Sequence, residues 1–200
     1  MDELPFPQDD LRREIAAAAA RMIAEDGLDY PSARNQAIRQ VAGKARLPKN
    51  SIPTDAEVQD EVRAYQALFM ADTQPQELKE LRTVALQFMV RMAEFEPIVY
   101  GAAVNGTGSQ HSDVHLLAFA DDEKEIDYWL LNNQVNFEPC EDARLAGRDF
   151  PAVAFQWQRR WFQVGVASLR DRRGLLNRNS PDGSQFQTDI AGLTRLLEDS

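Results

Sequence analysis

Two hundred residues, 44% hydrophobic and 27% charged, are enough to bury a core and exclude general disorder. Twenty-two basic against 32 acidic residues give a net charge of −10, which argues against nonspecific attraction to nucleic acid. The longest nearly apolar run, Ile15 to Ala24, is interrupted by Arg21 and falls short of the roughly 20 residues that a membrane span needs. The acidic start, Met1-Asp2-Glu3, differs from the basic start of an export signal, and a lone cysteine, Cys140, has no internal disulfide partner. A cytoplasmic chain with no membrane contact is expected.

Up to Pro97 the pattern is helical. Asp9 or Asp10 can cap a helix whose apolar positions Leu11, Ile15, Ala18 and Met22 recur at spacings of three and four, with Gly27 as its stop. Pro31 opens a second helix carrying Ala33, Ala37, Ile38 and Val41, ended by Gly43. Pro48, Asn50 and Pro53 mark a connector. Thr54 and Glu57 form a capping box for a third helix with Val58, Val62, Tyr65 and Phe69 on one face. Pro75 starts a fourth, with Leu78, Leu81, Ala85, Phe88 and Met92 inward. None of the four carries a catalytic constellation.

After Pro97 the pattern turns to strands and tight loops. Ile98-Val99-Tyr100 is a short strand ending at Gly101, a glycine- and serine-bearing loop follows, and Asp113 to Ala120 reads as a buried strand. Asp121-Asp122 caps a helix through Leu131, and Val135-Asn136-Phe137 reads as a strand. Val153–Trp157 and Trp161–Ala167 flank Gln158-Arg159-Arg160 as a hairpin. Ser180 to Gly183 is a turn, and Thr188 to Leu197 a closing helix. The expected class is α+β: a helical region, residues 1–96, packed on a small mixed sheet in residues 97–200. Within the acidic chain, residues 144–178 hold eight arginines against Asp149 and Asp171. This strip either balances acidic helices or meets a phosphate-bearing ligand.

Residues 98–119 carry the chemistry. Gly101, Gly106, the pair Ser112-Asp113 and the apolar Val114 and Leu116 resemble the signature of the nucleotidyltransferase superfamily, which includes DNA polymerase β. In that family a strand ends in Gly-Ser. A loop of about ten residues then leads to Ser-Asp-hydrophobic-Asp-hydrophobic on a second strand. The resemblance implies a phosphate-facing loop shaped by Gly101, Ala102, Gly106 and Ser112. It also implies magnesium or manganese, brought with a nucleoside triphosphate and held by carboxylates two apart on a strand. The chain departs from the pattern where charge matters. Ala102 replaces the serine and His115 the second carboxylate, and Gln156 and Gln163 occupy the positions comparable to a third carboxylate on a later strand. Asp113, with His115 beside it, is the expected site of any metal contact or catalysis.

Four further signals compete. His111, Asp113 and His115, spaced by two, would share a face of an extended strand and could hold a transition metal, with Glu138 joining. Asn105-Gly-Thr-Gly-Ser109 resembles part of the phosphate-binding loop of ATP-dependent Mur ligases, yet the chain has no Gly-Lys-Ser/Thr. Residues 17–28 resemble the first helix of tetracycline-repressor-type DNA-binding domains, but Pro48 and Pro53 bar the recognition helix that should follow. Trp157 and Trp161 could stack a base beside Arg159 and Arg160. The reading is a degenerate nucleotidyltransferase-like protein that binds a nucleotide or regulates rather than catalyses. The alternatives are a protein-interaction module with a filled cleft, and an active nucleotidyltransferase or His/Asp metal enzyme.

Overall fold

The computed structural model describes residues 8–28, 30–43, 45, 47–176 and 187–199. The expected turn at 180–183 and Arg178 lie outside them. The chain divides into two compact units, Met1–Gln74 and Pro75–Ser200.

In the first unit α1 (Gln8–Asp26), α2 (Tyr30–Ala42) and α3 (Asp55–Phe69) surround a core that includes Ile15, Ala19, Ala33, Ala37, Val58 and Val62. The alanine run has a packing role. Ala16, Ala19 and Ala20 are buried against an equally small-residue face on α2, and short side chains let the two backbones approach. A 3₁₀ turn, Lys49–Ser51, forms the connector. The capping box is complete: Thr54 Oγ1 accepts from the Glu57 amide, and the Thr54 amide donates to Glu57 Oε2 at 2.7 Å. Arg12 from α1 reaches the same carboxylate at 2.6 Å, and that hydrogen bond is the main reason the Glu57 carboxyl is held down at about 2. Phe69, expected on the inner face, is exposed. Tyr65 bonds to Glu25, one residue before α1 ends, so α3 runs past its partner and Phe69 has no α1 turn to pack on.

The second unit combines helices with a mixed sheet, the α+β class expected. It contains α4 (Gln74–Arg91), β1 (Ile98–Tyr100), α5 (Ala102–Asn105), β2 (Val114–Phe119), α6 (Lys124–Asn132), β3 (Glu138–Pro139), β4 (Ala143–Leu145), β5 (Arg148–Phe150), β6 (Ala152–Trp157), β7 (Arg160–Ala167), α7 (Arg172–Leu176), β8 (Gln187–Thr188) and α8 (Ile190–Glu198). Among the described residues the main sheet runs β3-β6-β7-β2-β1-β8, with β2 parallel to β7 and the other pairs antiparallel. Strand alternation sends Val99, Leu116, Phe155, Phe162 and Val164 into one core with Phe88 of α4 and Ile126 of α6. The opposite face, with Tyr100, Leu117 and Phe119, is covered by the β4–β5 hairpin and Leu175 of α7.

The change in element type at Pro97 and the boundary between units therefore fall at different places. Leu81, Ala85, Phe88 and Met92 are fully buried in the sheet core, which assigns the fourth helix to the second unit rather than to a helical region ending at 96. Four local expectations need correction. Val135–Phe137 is not a strand. Gln134 turns left-handed (φ 59°) and the Val135 amide closes back on the Leu130 carbonyl, so pairing with β6 begins only at Glu138. Residues 102–105 form a short helix inside the glycine loop. Gln187 and Thr188 pair with β1, and the closing helix starts after Asp189, whose carboxylate accepts from the Gly192 amide. The β4–β5 hairpin was not anticipated; its turn is Ala146-Gly147, both at positive φ.

Candidate functional site

Gly101 ends β1 with φ 76° and ψ −141°, a conformation that residues bearing a Cβ avoid. The reversal starts α5 at once, and Gly106 (φ 85°, ψ 5°) ends it in the left-handed region. The loop then folds on itself. Asn105 Oδ1 accepts from the Thr107 amide and hydroxyl at 2.9 and 2.7 Å. The Gly108 amide donates to the Ala102 carbonyl, and the Ser109 amide to Ser112 Oγ at 3.0 Å. Gln110 donates to Glu77 of α4, His111 to Ser109 Oγ, and Ser112 to the Ser109 carbonyl. On the other side Arg160 Nη1 donates to the carbonyls of Ser109 (2.9 Å) and Gln110 (2.7 Å).

This network corrects the picture of a loop whose amides face a phosphate. From Thr107 to Ser112 each amide already donates within the unit. Gly106 shapes the bend, and the Ser112 hydroxyl serves the Ser109 amide. The amides placed ahead of the first intrahelical bonds, at Val104 and Asn105, are those of Ala102 and Ala103.

Past the loop, β2 begins at Val114. One register row crosses the sheet as Gln187, Tyr100, His115, Gln163, Ala154 and Glu138. His115 Nδ1 lies 3.0 Å from Gln163 Oε1, while Gln163 Nε2 donates to the Glu141 carbonyl at 3.0 Å. Because Nε2 of Gln163 is committed to a carbonyl, its oxygen faces the imidazole. Nδ1 of His115 therefore donates to it, which orients the ring. A Cβ built on Gly101 would stand 3.7 Å from His115 Cδ2, so the Nε2 edge of the ring lies toward the strand–loop bend. Asp113, exposed just before β2, has its carboxyl raised by desolvation, with His115 and Arg160 opposing. Tyr100 and Gln187 are buried, and neither the Tyr100 hydroxyl nor Gln187 Nε2 meets a partner among the described residues. Burial, and secondarily the field of Cys140, pushes the Tyr100 phenol up.

The sequence-predicted site residues are thus only partly brought together. Gly101, Ala102, Asp113 and His115 converge at the end of β1 and β2. His111 does not join them: Ser109 to Ser112 close a turn, which leaves His111 exposed before the strand begins. Glu138 stands on the same row as His115 but three strands away, about 14 Å at ordinary strand spacing. Of the two glutamines, Gln163 is the one beside His115, whereas Gln156 is exposed on β6. Among the described residues no three His, Cys, Asp or Glu side chains gather as metal ligands. The donor set of one carboxylate, one imidazole and an amide committed at both ends does not fit a pair of hard magnesium ions.

The arginine strip is mostly spent within the unit. Arg144 pairs with Asp149 (3.6 Å), Arg148 with Asp171 (3.0 Å), Arg172 with Glu96, and Arg160 holds the loop. Sequence reasoning missed the role of Gln163 as the partner of His115. The signal was present in its parity on the hairpin strand. No helix among the described residues is long and apolar enough to cross a membrane. No protein-family model matches the chain, and no curated protein matches it in sequence.

Proposed function

We propose that the second unit is a degenerate nucleotidyltransferase-like module that binds a nucleotide and carries out little or no nucleotidyl transfer. One observation carries the reading: the Gly101 bend delivers Asp113 and His115 to the same strand end, with Gln163 beside them on the neighbouring strand. This supports the reading drawn from the sequence resemblance, with an imidazole and an amide at two of the three places where that resemblance would put carboxylates. Asp113 is the carboxylate that meets a divalent ion arriving with the triphosphate, and half-buried Ala102 supplies the amide nearest the phosphates. With two carboxylates missing, alignment for in-line attack on the α-phosphate is lost before binding is.

The test has two parts. Thermal shift with nucleoside triphosphates and Mg²⁺ or Mn²⁺ is expected to raise the melting temperature of the wild type and not of Asp113→Ala. Labelled triphosphates incubated with the protein are expected to remain intact. Robust turnover abolished by Asp113→Ala would overturn the noncatalytic reading, and no shift with any nucleotide would favour a protein-interaction role. That second role has one observation of its own in the first unit, where α3 leaves Leu68 and Phe69 exposed at 73% and 65%.

A further inference from the structure

A cleft of about 450 Å³ opens at the edge of the main sheet, where β3 stops pairing and residues 134–138 arch past the last residues of β6. Its lining joins two indoles, Trp157 and Trp161, to the amides of Asn136 and Gln156, with Glu138 as its charged group. We propose that this cleft is a subsite for a planar heteroaromatic ring, the base of the nucleotide whose phosphates meet the Gly101 bend. The inference rests on the functional reading above and adds to it the class of group recognised.

Four features support it. Trp161 is 47% exposed, so a large indole face is available for stacking. Trp157 is fixed from behind by Phe88 and Phe162, with ring centroids 5.2 and 5.9 Å away, and Arg91 lies 5.8 Å over its ring. The hydrogen-bonding groups suit a base edge. Ala152 accepts from Cys140 on the β3 side, so by ladder alternation the N–H and C=O of Gln156 also face away from β7, toward the cleft. Together with the side-chain amides of Asn136 and Gln156 they offer donors and acceptors close together. The charge agrees: Glu138 in the lining repels a phosphate and accepts from a ring amino group.

The spacing fits one ligand. Val114 pairs with Phe162, so Asp113 lies level with Trp161, which in turn pairs with Gln156. The cleft lies on the outer side of β6, between two and three strand spacings from β2, about 10 to 14 Å, the reach from a triphosphate to its base. The phosphate end is poorly equipped, its loop amides already engaged and Arg160 turned to carbonyls, so the base carries most of the affinity.

The experiment is calorimetric titration of the full chain in Mg²⁺ with a nucleoside triphosphate and with tripolyphosphate, and nitrogen-15 NMR of the indole N–H groups with a nucleoside alone. The nucleoside triphosphate is expected to bind about tenfold or more tightly than tripolyphosphate. Trp161→Ala should erase that advantage while leaving tripolyphosphate affinity unchanged, and Trp161→Phe should retain most of it. The nucleoside should shift the Trp161 indole resonance. Equal binding of the two polyphosphates, or an advantage that survives Trp161→Ala, would overturn the subsite and leave the phosphate reading standing. A nucleoside shift at Trp161 without tripolyphosphate binding would keep the subsite and remove that reading. Absence of both would remove both.

Discussion

Replacing Gly101 by alanine probes the bend on which the site depends. At φ 76° and ψ −141° the backbone occupies a region nearly reserved for glycine, so a Cβ there costs about 2 to 3 kcal/mol in backbone strain. Steric overlap adds little, because the new Cβ would sit 3.7 Å from His115 Cδ2, an ordinary contact. Gly106 is the control. Its φ of 85° and ψ of 5° lie in the left-handed helical region and a Cβ there meets nothing, so alanine costs about 1 kcal/mol and asparagine less. All three tryptophans of the chain, Trp129, Trp157 and Trp161, lie in the second unit, so their fluorescence reports its unfolding alone. With an m-value of about 1.5 kcal/mol/M in urea, Gly101→Ala should lower the midpoint by about 1.5 M and Gly106→Ala by about 0.7 M. Gly106→Asn should lie near wild type, whereas Gly101→Asn should be as damaging as the alanine. A Gly101→Ala midpoint within 0.3 M of wild type would refute the strain argument and the geometry of the bend with it.

Four other outcomes are expected. The Glu57 carboxyl is held below its unfolded value, so the stability it contributes to the first unit is present above about pH 4.5 and lost as pH falls toward 2. The side chain is partly solvated, so the loss is under about 1 kcal/mol, and hydrogen exchange of α3 should show acid sensitivity that Glu57→Gln lacks. Arg82 is buried and donates through Nε to the Ala103 carbonyl (2.8 Å) and through Nη1 to that of Leu196 (3.0 Å), joining α5 to α8. Arg82→Ala should destabilise the second unit by about 3 kcal/mol in the same urea assay, and lysine should recover less than half, because one ammonium lacks the forked geometry. The folded protein raises the Asp113 carboxyl, so any stability from its protonated form is present at low pH and disappears as pH rises through the raised value. Asp113→Asn should therefore melt higher than wild type at neutral pH while losing the nucleotide-dependent shift in melting temperature. Finally, His115→Asp with Gln163→Asp rebuilds three carboxylates on adjacent strands, and Mn²⁺ affinity measured by electron paramagnetic resonance should rise at least tenfold.

Much of this architecture was legible because local chemistry and tertiary packing agree. The capping box of α3, the stops at Gly27 and Gly43, and the inward stripe of α4 are signals read within a few residues, and the structure contains each of them. The hairpin around Gln158 and Arg159 also follows from alternation, although neither turn residue is glycine: both adopt positive φ, 47° and 66°. What failed depended on partners distant in sequence. Strand β8 is two residues long and exists through pairing with β1, some ninety positions earlier. Phe69 follows the helical stripe faithfully and is still exposed, because the stripe cannot say where α1 stops. The candidate site divides the same way. Gly101, Asp113 and His115 were visible as a spaced motif, whereas the anchoring of Gln163 by the Glu141 carbonyl, which orients the imidazole, needed the register of β7 against β2.

The same register explains how the loop keeps its shape without the charges that the resemblance would place nearby. A bend built to surround bound phosphate would leave amides unpaired when empty, at a cost for each buried donor. Here the cost is avoided by internal substitutes: Asn105 Oδ1 for Thr107, Ser112 Oγ for Ser109, Glu77 for Gln110, and Arg160 gathering the carbonyls. Such a loop is ordered without a ligand, so an approaching polyphosphate gains few new hydrogen bonds from it and must displace old ones to gain more. On the proposed reading, binding at this end is governed by Asp113 and the divalent ion that arrives with the polyphosphate. Discrimination between ligands passes to whatever the neighbouring edge of the sheet recognises. On the proposed reading, the missing carboxylates and the self-satisfied loop argue together for a protein that senses a nucleotide by its base and has little use for the reactivity of its phosphates.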